Sequence, residues 1–339
     1  MTVSSEFSVS YVVTTFNRGN LIQRTIDSIL AQHAENVKFE VVVVDGGSTD
    51  DTTRVLERLY KADLRVKVVQ DPSPGVMPSR HTGAKNASGS IIVFIEDDVK
   101  LEQGHLGGVV SAFSNEEIHL AGGPCLPEFR DCEAPDWFEG LWSRVDGIEG
   151  GKMCGWLSLI DLGSKPIQID PTLIWALNLA IRRSTLFELG GFHPDLSPPK
   201  FKAYQGDGEV GLALKACEKG LKAVYSPNMK VWHEITAERF TLQYLEKRFY
   251  FQGISESYTK IRKERSVKFP IKEIIKFLYF TLLKVKHVFS KEPLKKVFIG
   301  TQIAYAKGYI FHNRATKHSD HLRRWIFQNN YLEQNVPSI

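Results

Sequence analysis

The stretch Ser90–Asp98, SIIVFIEDD, runs five apolar residues straight into three consecutive carboxylates, Glu96, Asp97 and Asp98. A short continuous apolar run reads as a strand buried on both faces, as in parallel sheets. Two earlier stretches read the same way: Val9–Phe16 (VSYVVTTF) and Glu40–Val44 (EVVVV), the second ending in Asp45-Gly46-Gly47-Ser48-Thr49-Asp50. Val66–Val69 gives a further strand. Between them lies helical spacing. Leu21, Ile22, Thr25, Ile26, Ile29 and Leu30 form one apolar face behind a start signal at Asn20 and Gln23, and Ser79–Ala87 forms a second helix. Strands alternating with helices predict an α/β fold, a Rossmann-like and mostly parallel sheet flanked by helices.

Ligands of such sheets bind just beyond the carboxyl ends of the strands. Those ends carry Thr14, Thr15, Phe16 and Asn17, then Asp45, then Glu96–Asp98. Three adjacent carboxylates repel one another, which favours a bound cation. Hard oxygen ligands in this number suit Mg²⁺ or Mn²⁺ with substrate phosphates completing the shell. A solvated acidic turn is the plainer alternative. The DGGSTD turn is a weaker signal, since Asp and Ser also cap ordinary strand-to-helix turns.

Composition sets the outer limits. The 339 residues are 42% hydrophobic and 24% charged, which excludes disordered and collagen-like classes. No uncharged apolar run approaches the roughly 20 residues that span a bilayer, and the N-terminus lacks secretion features. Cys125, Cys132, Cys154 and Cys217 show no metal spacing and are expected as reduced thiols in a cytoplasmic protein. The net charge of +4 divides unevenly: residues 1–239 carry −8 and residues 240–339 carry +12. The tail's basic residues alternate with aliphatic and aromatic ones, which argues against nucleic acid and for an anionic membrane surface.

The pieces VSYVVTTFNR, VVVVDGGSTDDT, PGVMPSRHTGAKNASGSIIVFIEDD, ALNLAIRRSTLFELGGF and GDGEVGLALKA, in this order, resemble an inverting glycosyltransferase of family 2 with the GT-A fold. The resemblance covers most of residues 8–235 and implies a nucleotide-diphospho-sugar donor and a glycan or lipid-linked acceptor. It implies that Asp98, in the so-called DxD motif, holds the metal. Glu96 and Asp97 would face the ribose or the metal's water shell, and Asp45 would accept from the nucleobase. Thr14 and Thr15 would line that pocket, with Asn17 and Arg18 alongside. Arg80 would approach the diphosphate or base, its neighbour His81 standing where the family has Asn. Asp207 would be the catalytic base, with Glu209 in reserve; Asp207 as a mere helix cap is the bland alternative. His233 would be a further metal ligand or a satisfied half-buried residue.

By that resemblance residues 1–239 form the catalytic domain, with a nucleotide-sugar half to about 123 and an acceptor half from about 124. Trp156, Trp175 and Asn178 are acceptor-side candidates, since sugars stack on tryptophan, although tryptophans also pack loops. Ser184 reads as the cap of a helix over Thr185–Leu189. Residues 240–339 read as a basic, amphipathic helical tail. Its stretch Ile271–Phe289 is either an interfacial helix on the inner face of the membrane or an appendage packed on the catalytic domain or on a second subunit of a homodimer. Two other functions compete: a membrane-bound scaffold that binds nucleotide-sugar without catalysis, and a sugar nucleotidyltransferase. The latter needs a Gly-rich loop after the first strand, which TTFNRGN is not. A processive synthase is disfavoured because QxxRW is absent.

Overall fold

A computed structural model describes residues 8–196, 199–287, 292–333 and 337. The strands are β1 (Ser8–Thr15), β2 (Lys38–Asp45), β3 (Val66–Gln70), β4 (Ile91–Glu96), β5 (Val99–Leu101), β6 (Ile118–Gly122), β7 (Cys125–Phe129), β8 (Ser143–Arg144), β9 (Lys152–Cys154), β10 (Leu159–Asp161), β11 (Ile167–Ile169), β12 (Asn178–Arg182), β13 (Lys222–Tyr225) and β14 (Val231–Ile235). The larger sheet has the order β11-β13-β6-β12-β4-β1-β2-β3. One half of it, β4-β1-β2-β3, is parallel, as the apolar runs predicted. β12 enters antiparallel to both β4 and β6, so the sheet is mixed. A second sheet, β5-β14-β7-β10-β9-β8, stands beside the carboxyl ends of the first.

The helices of the first half are α1 (Ile22–Leu30), α2 (Thr52–Tyr60), α3 (Val76–Asn86) and α4 (His105–Phe113). In the second half come α5 (Arg183–Glu188) and α6 (Gly208–Glu218). Ile22, Thr25, Ile26 and Ile29 of α1 are buried on the sheet, as their spacing requires. Two expected caps fail. α1 starts after Leu21 with no side-chain cap, because Leu21 and Ile22 N–H groups donate to the Arg18 carbonyl instead. α5 starts at Arg183, so Ser184 lies inside the helix. α6 stops before Gly220, whose φ of +67° closes the last turn.

After residue 240 come α7 (Leu242–Glu264), α8 (Ile271–Lys286), α9 (Pro293–Lys317) and α10 (Asp320–Ile326). α7 and α9 cross very closely. A Cβ on Gly253 would lie 2.0 Å from the Tyr305 carbonyl oxygen, and one on Gly308 would lie 1.9 Å from that of Tyr250. Tyr258 and Ile261 of α7, Leu322, Trp325 and Ile326 of α10, and Tyr331 belong to the same buried core as the sheet. Tyr331 N–H donates to the Gly190 carbonyl at 3.0 Å, tying the chain's end to the loop after α5. α8 differs: none of its residues is buried. The predicted stretch extended to Phe289, but Val288 and Phe289 lie outside the described residues.

Candidate active site

At the end of β4 the carboxylates separate into different roles. Thr15 Oγ1 donates to Asp97 Oδ2 at 2.7 Å. Burial, with the neighbouring Asp98 charge adding, pushes the Asp97 carboxyl up to about 7. Asp98 goes the other way. Burial opposes its ionisation, but His233, Arg239 and Arg18 outweigh burial and hold it well below the usual carboxylate range. Asp98 Oδ2 accepts from Arg239 at 2.5 Å. Arg239 gave no signal in the sequence beyond standing where the chain turns basic.

His233, on β14, has no exposed surface, and its Nδ1 lies 3.0 Å from the Leu157 carbonyl oxygen. A carbonyl only accepts, so Nδ1 donates to it and the other ring nitrogen, Nε2, is turned toward Asp98. Nε2 lies 3.6 Å from Asp98 Oδ1, beyond hydrogen-bond reach, and both atoms are buried without a hydrogen-bond partner. A carboxylate oxygen and an imidazole nitrogen turned to one point are donors that suit a divalent cation. Glu96 joins them: one ligand atom from each of Glu96, Asp98 and His233 lies within 4.8 Å of the others. The Nδ1 contact that orients the imidazole is what a metal-binding histidine requires.

Arg80, on α3, is buried and joins this cluster to the second half of the fold. Its Nη2 donates to Glu96 Oε1 at 3.1 Å, and its Nη1 stands 3.6 Å from Glu209 Oε2. The guanidinium lies over the Phe192 ring. Burial raises the Glu209 carboxyl above its ordinary value, with Arg80 opposing and Asp195 and Glu96 reinforcing. Glu209 lines a cleft of about 820 Å³ with Glu238, Tyr244, Lys247 and Arg248.

Asp207 sits at the same helix start but is otherwise engaged. It makes no cap bond. Its Oδ1 lies 2.6 Å from His193 Nδ1, and its Oδ2 accepts from Thr259 Oγ1 of α7 at 2.6 Å. With a side chain 3% exposed, it is a buried tie between α6, His193 and α7. His81 makes a similar tie, accepting from the Phe192 N–H through Nε2.

Other expected site residues divide in the same way. Asp45 has no exposed surface and accepts from Ser48 N–H, Thr53 Oγ1 and Gln70 Nε2, bonds that order its loop. Asn17 adopts a left-handed backbone (φ +55°), and its Oδ1 accepts from Thr49 N–H, pinning the end of β1 to that same loop. Arg18 N–H donates to Thr52 Oγ1. Thr14 is half-buried, and Phe16 stands 56% exposed beside Gly46.

The acceptor-side residues lie apart from the cleft. Asn178 is a core residue, bonded to His105 Nε2 and to the Met229 carbonyl. Trp175 is half-buried against a small apolar void beside Gly122 and Ile174. Trp156 packs on Phe249 and borders a separate groove with Trp137 and Trp142. Their sequence context was rich in loop residues, which cannot tell packing tryptophans from sugar platforms.

Residues 10–162 match the sequence model of the family Glycosyl transferase family 2. That segment, under half of the chain, is similar to a family 2 glycosyltransferase domain. The chain is 25% identical over 253 residues to the glucosyl-dolichyl phosphate glucuronosyltransferase of Haloferax volcanii, covering 73% of this chain and 76% of that one. It is 34% identical over 122 residues to the GalNAc(5)-diNAcBac-PP-undecaprenol beta-1,3-glucosyltransferase of Campylobacter jejuni, covering 35% of this chain and 38% of the relative. The match thus spans about three quarters of the first relative's length and under two fifths of the second's. Solved structures share the GT-A fold. Mannosyltransferase PcManGT from Pyrobaculum calidifontis, in complex with GDP-Man and Mn²⁺, superposes with a TM-score of 0.52 at 18% identity over 96% of this chain and 84% of that one. GalNAc-T7 with UDP, GalNAc and Mn²⁺ gives 0.54 at 17% identity over 74% and 51%. The fold expected for the family 2 domain is therefore the one present.

Proposed function

We propose that this chain is an inverting glycosyltransferase that moves a sugar from a nucleotide-diphosphate donor to a hydroxyl of a lipid-linked acceptor. The observation that carries this reading is Arg80, which touches Glu96 on one side and Glu209 on the other. One guanidinium thus separates the cation-binding cluster from a carboxylate open to a cleft. Glu96, Asp98 and His233 would hold Mg²⁺ or Mn²⁺, which when bound neutralises charge on the departing diphosphate. Arg80 adds fixed positive charge beside that diphosphate. Phe16 offers a ring to the nucleobase at the end of β1, with Thr14 and Thr15 below it.

Glu209, rather than Asp207, is the general base of this reading. A base must reach the acceptor hydroxyl and be free to take its proton. Both carboxylates line the cleft, but Asp207 has its two oxygens committed to His193 and Thr259, whereas Glu209 has a raised affinity for protons. Glu209 takes the hydroxyl proton as the oxygen bonds to the anomeric carbon. The bond from that carbon to the donor's phosphate oxygen breaks on the opposite face, leaving its electrons on the diphosphate. Configuration inverts. The printed names of the Haloferax and Campylobacter relatives include dolichyl phosphate and undecaprenol, which supports a lipid-linked acceptor.

The same reading gives α8 a place. Ile271, Ile275, Leu278, Tyr279, Leu282 and Val285 are all more than half exposed, flanked by Lys272, Lys284 and Lys286. Basic residues beside a bare apolar stripe complement an anionic lipid surface, so we assign the helix to a peripheral contact with a membrane. No helix among the described residues is long and apolar enough to cross one. The reading is tested by melting the protein with UDP, GDP, dTDP and CMP in Mn²⁺ or EDTA. One nucleotide should raise the melting temperature in Mn²⁺ alone; no stabilisation by any of them would remove the donor from the account.

A further inference from the structure

A second cavity, of about 730 Å³, opens between the catalytic domain and the helices α7, α8 and α9. Its walls bring together Lys202, Lys247, Lys284 and Lys307, four lysines from four separate segments, around Tyr250 and Phe251. Two carboxylates also line it. Glu246 lies 3.9 Å from Lys284, and Asp195 accepts from Gln205. Lys202, Lys247 and Lys307 have no carboxylate within ion-pair distance among the described residues. Lys202 stands instead over the Tyr250 and Phe311 rings, at 4.1 and 5.5 Å. Uncompensated ammonium groups gathered on apolar walls form a positive well, which an anion with an apolar body relieves.

The cavity is continuous with the candidate active cleft, since Asp195, Gln205, Lys247 and Phe251 line both. Its other walls are Gly300, Ile303 and Ala304 of α9, with Lys284 contributed by α8, the helix that bares its apolar face. An anion held here would stand beside the hydroxyl that Glu209 activates and close to the lipid surface.

We propose that this cavity binds the phosphate or diphosphate group of a polyprenyl-linked acceptor, with the first isoprene units on its aromatic and aliphatic walls. This inference rests on the glycosyltransferase reading above and names where its acceptor is held. Its size lies within the range of small-ligand sites. Four ammonium groups against two carboxylates leave the excess positive charge that a diphosphate neutralises.

The probes are geranyl diphosphate and inorganic pyrophosphate, titrated calorimetrically into the full chain in EDTA, so that the metal cluster contributes nothing. Geranyl diphosphate should bind at least ten-fold more tightly than pyrophosphate. The double variant Lys202→Gln/Lys307→Gln should weaken it at least ten-fold, Lys202→Arg/Lys307→Arg should keep it within three-fold, and Asp98→Asn should bind as the wild type does. Mn²⁺-dependent nucleotide binding should be unchanged in the Gln pair, so loss of the donor reading and loss of this site give separate results. Binding insensitive to the lysines, or lost in Asp98→Asn, would overturn the assignment. Equal binding of pyrophosphate would overturn the lipid source in favour of a free anion.

Discussion

Asp98 Oδ1 and His233 Nε2 stand 3.6 Å apart, each buried without a hydrogen-bond partner, and at the scale of single residues this pair marks the candidate cation site. Asp98→Asn exchanges a carboxylate oxygen for a neutral one or an N–H. Its expected outcome is a severe loss of turnover and of Mn²⁺-dependent nucleotide binding, checked by calorimetry, with circular dichroism unchanged. Asp207 carries a different expectation. Asp207→Ala strands the His193 N–H and the Thr259 hydroxyl inside the protein, which costs about 1–3 kcal/mol for each group. Urea unfolding should show that loss, whereas Asp207→Asn, which can serve both partners, should stay within about 1 kcal/mol. His105 supplies a pH dependence. Burial holds its folded pKa at about 4, below the ordinary value of about 6.5, at the N-terminus of α4. Its folded pKa is depressed, so its contribution is complete above pH ~6.5 and is lost as pH falls toward 4. The difference is about 3 kcal/mol by pH 4. Urea midpoints of His105→Asn should therefore fall less steeply over that window than those of the wild type. Asp98 was legible because three carboxylates cannot end a buried strand without a reason. The division between Asp207 and Glu209 was not, since nothing in GDGEV reveals that His193 and Thr259 reach the first acid.

At the scale of elements, α8 and the α7–α9 pair show opposite uses of sequence. The alternation of lysine with apolar residues on α8 was legible, and the helix forms with that stripe bare. Leu278→Glu together with Leu282→Glu should leave the melting temperature within a few degrees, since neither side chain is buried. The same change should abolish sedimentation with anionic vesicles, an attraction that salt screens over about 8 Å at physiological strength. A dimer that dissociates in the variant, with vesicle binding unchanged, would give the stripe to a second copy. The α7–α9 crossing was illegible. Gly253 and Gly308 sit in ordinary helical sequence, and only their meeting across two helices explains them. Gly308→Ala forces backbones apart and should cost several kcal/mol, about the scale of severe overpacking.

The whole molecule joins what the charge pattern seemed to separate. The acidic first part and the basic last part are real features of the sequence, but composition carries no information about which apolar faces meet. Trp325 Nε1 donates to the Tyr204 carbonyl, and Arg262 of α7 reaches the carbonyls of Ile326 and Gln328. Removing everything beyond residue 318 takes away Leu322, Trp325, Ile326 and Tyr331, each buried and worth about 1.5–3 kcal/mol. That approaches the stability of a typical domain. The truncated chain should lose its cooperative thermal transition. The parallel half of the larger sheet, β4-β1-β2-β3, was by contrast legible strand for strand, because parallel strands are apolar runs; the antiparallel entry of β12 was not, because a five-residue strand states no direction. In the proposed reaction Glu209, across Arg80 from the cation cluster, takes the acceptor's proton. That role is tested by the rate of sugar transfer by Glu209→Gln beside Asp207→Asn, each with donor binding measured. The account predicts a loss of about 10²–10⁴ for Glu209→Gln with donor affinity within a few-fold, and near-normal transfer for Asp207→Asn. Normal transfer by Glu209→Gln with loss in Asp207→Asn would contradict it.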